Sequence, residues 1–213
     1  MTSPFVLLEG LLWEPPGGYF LLDRHLERLA GSAREFGYPV DTEAVRAQLL
    51  AFAASLGDEP RKVRLEASKA GEIMLEDEAV KPSTPMKLAL AREPVDSGDV
   101  FLRHKTSRRE VYQRALAQHP DALDVLLWNE RGELTETCSA NIVLEIDGRQ
   151  LTPSLDSGLL AGTYRAHLLE NKEIEECVLP VESLEQASKL FLINSVRRCW
   201  EGRLVGTGES SVR

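Results

Sequence analysis

Apolar positions near the start of the chain change rhythm twice. The runs FVLLEGLLW and YFLLD flank Pro15-Pro16-Gly17-Gly18, and such punctuation predicts two strands joined by a turn. In RHLERLAGSAREFG the spacing becomes helical. Leu26, Leu29, Ala33 and Phe36 share one face, Asp23 is placed to act as N-cap, and Gly37 closes the helix. A second helix is expected over 42–55, with Val45, Leu49, Phe52 and Leu56 at helical spacing. Two strand-like segments, RKVRLEAS and EIMLE, then meet across Lys69-Ala70-Gly71, and MKLALA follows them.

Residues 92–101, REPVDSGDVF, show no periodicity and carry Pro, Asp, Ser and Gly, so they read as a linker. The expected organisation is a small lobe over 1–91 and a larger one over 102–213. The larger lobe opens with a helix over about 107–118. The strands DVLLWN, ELTET, ANIVLEID and RQLTPS follow, with turns at Asn129–Gly132 and Asp147-Gly148. A helix over 162–171 and the short strands IEECVLP, KLFLIN and GRLVG complete it. Hairpins and isolated helices alternate irregularly, which favours an α+β fold over a regular βαβ repeat.

Composition narrows the function. Apolar residues make up 43% of the 213 positions, enough for a real core, and the formal net charge is −9. A field of that sign opposes nucleic acid and anionic membrane, so an anionic ligand needs a local cationic pocket. The N-terminal apolar run has no basic flank and is interrupted by Glu9 and Glu14, so neither a signal peptide nor a membrane span is expected. Cys138, Cys177 and Cys199 are odd in number and lack metal-type spacing. They predict a reduced, cytoplasmic protein without a metal site.

Three segments carry candidate chemistry. Lysine is scarce, seven residues against eighteen arginines, and Lys105 stands in LRHKTSRR among Arg103, His104, Arg108 and Arg109. Neighbouring cations disfavour the ammonium and expose the amine lone pair that a Schiff base needs. Taken alone, the same cluster more often belongs to a solvated surface. In GELTETCSANIV, Glu136 ends a strand beside the small residues Ser139 and Ala140, where a carboxylate could meet a flat ligand or simply edge a sheet. In LTPSLDSGLLAGTYRAHLL, Gly162-Thr163 begins a helix, as a phosphate site or as an ordinary cap.

Six segments in order resemble the fold-type IV pyridoxal-phosphate enzymes: DRHLERLAGSAREFG, RKVRL, LRHKTSRREVY, DVLLWNERGELTETCSANIV, LTPSLDSGLLAGTYR and LFLINSVR. That group contains branched-chain aminotransferases, D-amino-acid transaminases and 4-amino-4-deoxychorismate lyases. The HKT, GELTE and GLL-GT segments look most like the lyases. The resemblance implies a two-lobed enzyme with pyridoxal 5'-phosphate held covalently on Lys105, which also moves the proton. It implies Glu136 at the pyridine nitrogen, and Arg28, Gly162, Thr163 and Ser195 around the phosphate. Arg109 and Arg197, with Arg64, are candidates for substrate carboxylates. A homodimer is implied, with an aminodeoxychorismate synthase as pathway partner.

Three positions depart from the pattern. Gly10 replaces a threonine often near substrate, Arg198 stands where glycine is expected, and Glu110 occupies the place of a tyrosine found in some aminotransferases, for which Tyr112 is not a safe substitute. The leading reading is conversion of aminodeoxychorismate to 4-aminobenzoate and pyruvate for folate synthesis. Transamination of branched-chain or D-amino acids is the alternative, and a non-catalytic cofactor-binding protein is a third.

Overall fold

A computed structural model describes residues 4–205. Residues 1–3 and 206–213, with the last glycine of GRLVG, lie outside the described residues. Alternation along β1 (Leu7–Glu14) turns Leu7, Glu9 and Leu11 inward. The strand pairs with the two-residue β2 (Gly18–Tyr19) across the Pro-Gly turn. Next come α1 (Leu22–Phe36), α2 (Thr42–Ala53), β3 (Arg61–Ala67) and β4 (Ile73–Ala79), giving an antiparallel sheet of order β2-β1-β3-β4. The stripe Leu26, Leu29 and Ala33 of α1 packs with Val45 and Leu49 of α2 and with Val63 and Leu65 of β3. Gly37 ends α1 at φ 65, in the left-handed region that glycine enters without a Cβ penalty. Asp41 caps α2 by accepting from Glu43 N and Ala44 N.

Asp23 is not the N-cap of α1. The cap lies two residues earlier, at Leu21 with φ 56, and Asp23 lies in the first turn, where its charge complements the helix dipole and pairs with Arg46 at 2.7 Å.

The second lobe follows as β5 (Met86–Leu90), α3 (Val100–Arg103), α4 (Glu110–Ala117), β6 (Asp124–Trp128), β7 (Leu134–Thr137), β8 (Asn141–Ile146) and β9 (Arg149–Pro153). It ends with α5 (Thr163–Glu170), β10 (Glu175–Cys177), α6 (Ser183–Gln186), β11 (Lys189–Asn194) and β12 (Arg198–Leu204). Its strand order is β10-β9-β8-β11-β12-β5-β6-β7, and a further β7–β8 pairing closes six of these strands into a barrel. Leu88, Leu126, Leu134, Ile142, Leu192 and Trp200 fill the core. A Cβ at Gly202 would lie 2.6 Å from Leu192 Cδ1 and 2.8 Å from Leu88 Cδ1, so this layer closes only around glycine.

Two boundaries differ from expectation. β5 is bonded between β12 and β6 in the barrel, so the change of sheet falls between Ala79 and Met86, ahead of 92–101. The anticipated linker is instead anchored: Val95 is buried and bridges Asn129, and Glu130 accepts from both the N–H and the hydroxyl of Ser97. Its polar residues look like loose loop in sequence because their partners lie some thirty positions away. The helix expected from about 107 starts at Glu110. Residues 104–107 run extended against β1, with Leu8 N donating to Lys105 O at 2.9 Å and Ser107 N to Val6 O at 3.0 Å. These bonds stitch the lobes together at Lys105.

Candidate active site

A cavity of about 530 Å³ opens at that seam. Arg28, Arg64, Lys105, Arg109, Glu136, Gly162, Thr163, Ser195 and Arg197, the nine residues singled out in sequence, all line it, although they come from both lobes.

Lys105 is fixed through its backbone, while its neighbours lock the approach. His104 Nδ1 lies 2.9 Å from Ser32 Oγ, with its ring edge against Phe36, and buried Thr106 bridges Leu7. Among the described residues no hydrogen-bond partner holds the Lys105 amine. Burial, then the charges of Arg28 and Arg109, push its pKa down to about 8 against the pull of Glu9 and Glu136. A half-buried, unpaired amine that loses its proton near neutrality is a nucleophile and a base.

Glu136, the penultimate residue of β7, lies on another wall of the cavity. Tyr112 Oη donates to its Oε1 at 2.8 Å, and Asn141 Nδ2 donates to Oε2 at 3.2 Å and to Leu160 O at 2.9 Å. Burial raises its pKa to about 7, so a cationic N–H placed against it would be matched by a carboxylate already desolvated. Tyr112 thus serves the carboxylate, in a place the motif comparison did not supply. Gly162 is required by the same corner, since a Cβ there would sit 1.9 Å from Asn141 Oδ1.

Arg28 forms no pair with Glu27 or Asp23. Its Nε and Nη2 grip the two oxygens of buried Glu9 at 2.9 and 2.6 Å, and its Nη1 reaches Ala161 O at 3.2 Å. Two of its five N–H groups remain. Glu9 also accepts from His25 Nδ1 at 2.6 Å. Burial opposes its charge, but Arg28 and His25 outweigh burial and hold its pKa at about 2. α5 begins at Gly162 with no side-chain cap, so its first-turn N–H groups face outward from the helix end as an anion site. The Ser195 turn is shaped by Asn194 Oδ1, which accepts from Val196 N at 3.1 Å and Arg197 N at 2.8 Å, and Ser195 Oγ lies 3.3 Å from Gly10 O.

Arg109 lies over the Tyr112 ring at 4.4 Å and donates to Cys138 O. Arg197 stacks on Trp200 at 4.1 Å and donates to Pro82 O at 2.9 Å. Arg64 pairs with Glu66, and Lys62 with Glu78 at 2.6 Å. With Lys81, these give the lining seven cations against three carboxylates in a protein of net charge −9. Gly10 borders the cavity, and a Cβ there would meet Lys62 Cε at an ordinary 3.9 Å, so the site has room for the side chain this chain lacks. Arg198 does not border it. It is exposed at φ 59, paired with Glu14 at 2.5 Å and laid over Phe20 at 4.7 Å. The backbone keeps the glycine-type conformation, but the arginine points away from any ligand in the cavity.

Glu9, His25 and Asn141 belong to the site and were not singled out for it in sequence. Two signals were available. Glu9 shares the inward face of β1 with Leu7 and Leu11, and His25, Arg28 and Ser32 follow one another at helical spacing along α1.

The cavity therefore offers an anion cradle at Arg28 and α5, a free amine at Lys105 and a buried carboxylate at Glu136. This donor set fits a phosphorylated aldehyde with a basic ring nitrogen. Comparison with known proteins agrees. A protein of Schizosaccharomyces pombe, provisionally named an aminodeoxychorismate lyase, is 33% identical over 93% of this chain and 89% of its own length. A crystal structure from Mesorhizobium loti, provisionally named an amino-acid aminotransferase, superposes with TM-score 0.87 at 37% identity and covers 94% of this chain and 100% of its own. The 4-amino-4-deoxychorismate lyase of Pseudomonas aeruginosa superposes with TM-score 0.77 at 26% identity over 96% of this chain and 87% of its own. The family model described as "Amino-transferase class IV" matches residues 6–205, and the chain belongs to that family.

Proposed function

We propose that the protein is a pyridoxal-phosphate-dependent lyase that converts 4-amino-4-deoxychorismate to 4-aminobenzoate and pyruvate, a step of folate synthesis. The observation that carries this reading is the unpaired Lys105 amine, with a pKa of about 8, set between an anion cradle and a buried carboxylate beneath a cation-rich mouth. The likeness to the S. pombe protein over nearly the whole chain supports the lyase branch.

Pyridoxal 5'-phosphate is the cofactor of this family, and when bound it supplies an electron sink for the carbon bearing the substrate amine. In this reading Arg28, Thr163, the α5 N-terminus and Ser195 bind its phosphate, Glu136 faces its ring nitrogen, and Lys105 holds it. Near its pKa about half of Lys105 is the free amine, so the residue can both accept and return a proton. Lys105 takes the proton from the amine-bearing carbon. The bond from ring carbon to enolpyruvyl oxygen breaks, and the departing methylene receives a proton, completing pyruvate and an aromatic amine without an added oxidant. Such acid–base help contributes about two to four powers of ten. Arg64, Lys81 and Arg197 supply positive charge for a substrate with two carboxylates.

Transamination of amino acids is the second reading, favoured by the 37% identity to the M. loti structure. The two part on product. Purified protein with cofactor and aminodeoxychorismate, and no keto acid, is expected to release 4-aminobenzoate and pyruvate in equal amounts. Amino transfer that strictly requires an added keto acid refutes the lyase reading. The family resemblance also supports a small N-terminal and a larger C-terminal lobe acting as a cytoplasmic homodimer, supplied by an aminodeoxychorismate synthase.

A further inference from the structure

We propose that His25 is a positioning residue for the cofactor phosphate: a second proton on its imidazole turns the Thr163 hydroxyl toward the anion. This rests on the cofactor reading above and adds a residue and a linked proton to it.

An ionised Glu9 can only accept, and it receives Arg28 Nε at 2.9 Å, Arg28 Nη2 at 2.6 Å and His25 Nδ1 at 2.6 Å. The hydrogen of a neutral His25 therefore sits on Nδ1. The other ring nitrogen, Nε2, lies 3.3 Å from Thr163 Oγ1, the first residue of α5. With His25 neutral, Nε2 is an acceptor. The single hydroxyl hydrogen of Thr163 then points back at the ring, leaving only lone pairs for a phosphate. With His25 protonated, Nε2 donates, and the hydroxyl hydrogen is released to the anion.

The surrounding charges act in the same direction. Glu9 cancels Arg28, so the trio of side chains behind the cradle is neutral until His25 gains its second proton. His25 faces Glu9 from β1, Arg28 on its own helix, Lys105 from the segment before α4, and the uncharged Thr163 from α5. Burial, with the two cations, works against protonation of His25, and Glu9 works for it. A phosphate dianion in the cradle adds the charge that reverses the balance, so phosphate binding and proton uptake are thermodynamically linked.

The test compares pyridoxal phosphate with pyridoxal, which offers Lys105 the same aldehyde without the phosphate, on the cofactor-free full-length protein. Between about pH 7 and 9, above the second phosphate ionisation near about 6, calorimetry in buffers of different ionisation enthalpy is expected to show more proton uptake with pyridoxal phosphate. The preference for pyridoxal phosphate should fall as pH rises. His25→Asn keeps an amide donor for Glu9 but does not reach Thr163, and it should cut that preference roughly tenfold or more and flatten its pH dependence. In a Thr163→Val background the same substitution should add little. Equal proton uptake with both ligands overturns the proposal, as does a His25→Asn loss shared equally by both ligands. Failure of pyridoxal phosphate to bind the unmodified protein overturns the cofactor reading as well, which separates the two failures.

Discussion

Gly162→Ala tests the joint between the anion cradle and the carboxylate. The backbone at 162 is extended, φ −64 and ψ 135, so alanine brings no dihedral strain and its whole effect is contact. The new Cβ would lie 1.9 Å from Asn141 Oδ1 and 3.2 Å from its Cγ. Asn141 is buried and cannot turn aside freely, because its Nδ2 holds Leu160 O at 2.9 Å and Glu136 Oε2 at 3.2 Å. If the amide rotates, buried polar groups lose their partners at a cost of about 1–3 kcal/mol. If the amide stays, the first turn of α5 must move, and overpacking of that kind costs a similar ~1–3 kcal/mol. For a chain of this length each kcal/mol is roughly 2–4 °C in Tm, so the cofactor-free variant should melt several degrees lower. It should also bind pyridoxal phosphate more weakly, since either movement disturbs Glu136 or Thr163. Thermal unfolding and a fluorescence titration read the two effects. Adding Asn141→Ala removes the obstacle, so Gly162→Ala should then cost little. A Gly162→Ala protein with unchanged Tm and cofactor affinity, or an equal loss in the Asn141→Ala background, would refute the reasoning.

Four other outcomes are expected. The cofactor-attachment rate of the free protein should rise with pH and level off above about 8, following deprotonation of Lys105, and Lys105→Ala should show no covalent attachment at any pH. Glu136 has its pKa raised in the fold, so its contribution to stability is complete below the unfolded value of 4.5 and is lost as pH climbs through about 7. Glu136→Gln should therefore stabilise the cofactor-free protein above that range, by up to about 3 kcal/mol, while abolishing turnover. Glu9 is the reverse case: its stability is complete above 4.5 and lost as pH falls toward about 2, and Glu9→Gln should cost about 3–5 kcal/mol near neutrality by stranding the part-buried Arg28 guanidinium, measured by denaturant unfolding. Arg198→Gly relieves a non-glycine residue at φ 59 but gives up an exposed pair with Glu14, so stability should move by less than about 1 kcal/mol, with kcat/KM unchanged.

Much of the layout was legible because it is local. The β1–β2 turn, the Gly37 stop and the helix start at Gly162 depend on a few adjacent residues, and the structure places all three as expected. The nine candidate residues converge on one cavity because their motifs carried the family pattern, which individual side chains did not. What escaped was set by distant partners. β5 looked like part of the first lobe, since nothing in MKLALA names the strands β12 and β6 that flank it. LRHKTSRR looked like the opening of a helix, but β1 takes its backbone bonds and holds Lys105 extended. The departure at Arg198 is a matter of a glycine-type backbone conformation outside the cavity, whereas Gly10 does border the site and leaves room within it. Glu9 and His25 were hidden for a related reason: a carboxylate in an apolar strand becomes intelligible only once α1 brings its cations against it.

The central claim is that Lys105 is the residue that carries the cofactor. Borohydride reduction of the protein loaded with pyridoxal phosphate, followed by proteolysis and mass spectrometry, tests it most directly. The modified lysine should lie in the LRHKTSRR segment, at Lys105, and Lys105→Ala should yield no reduced adduct. A stoichiometric adduct on any other of the seven lysines, or one that persists in Lys105→Ala, would contradict the account.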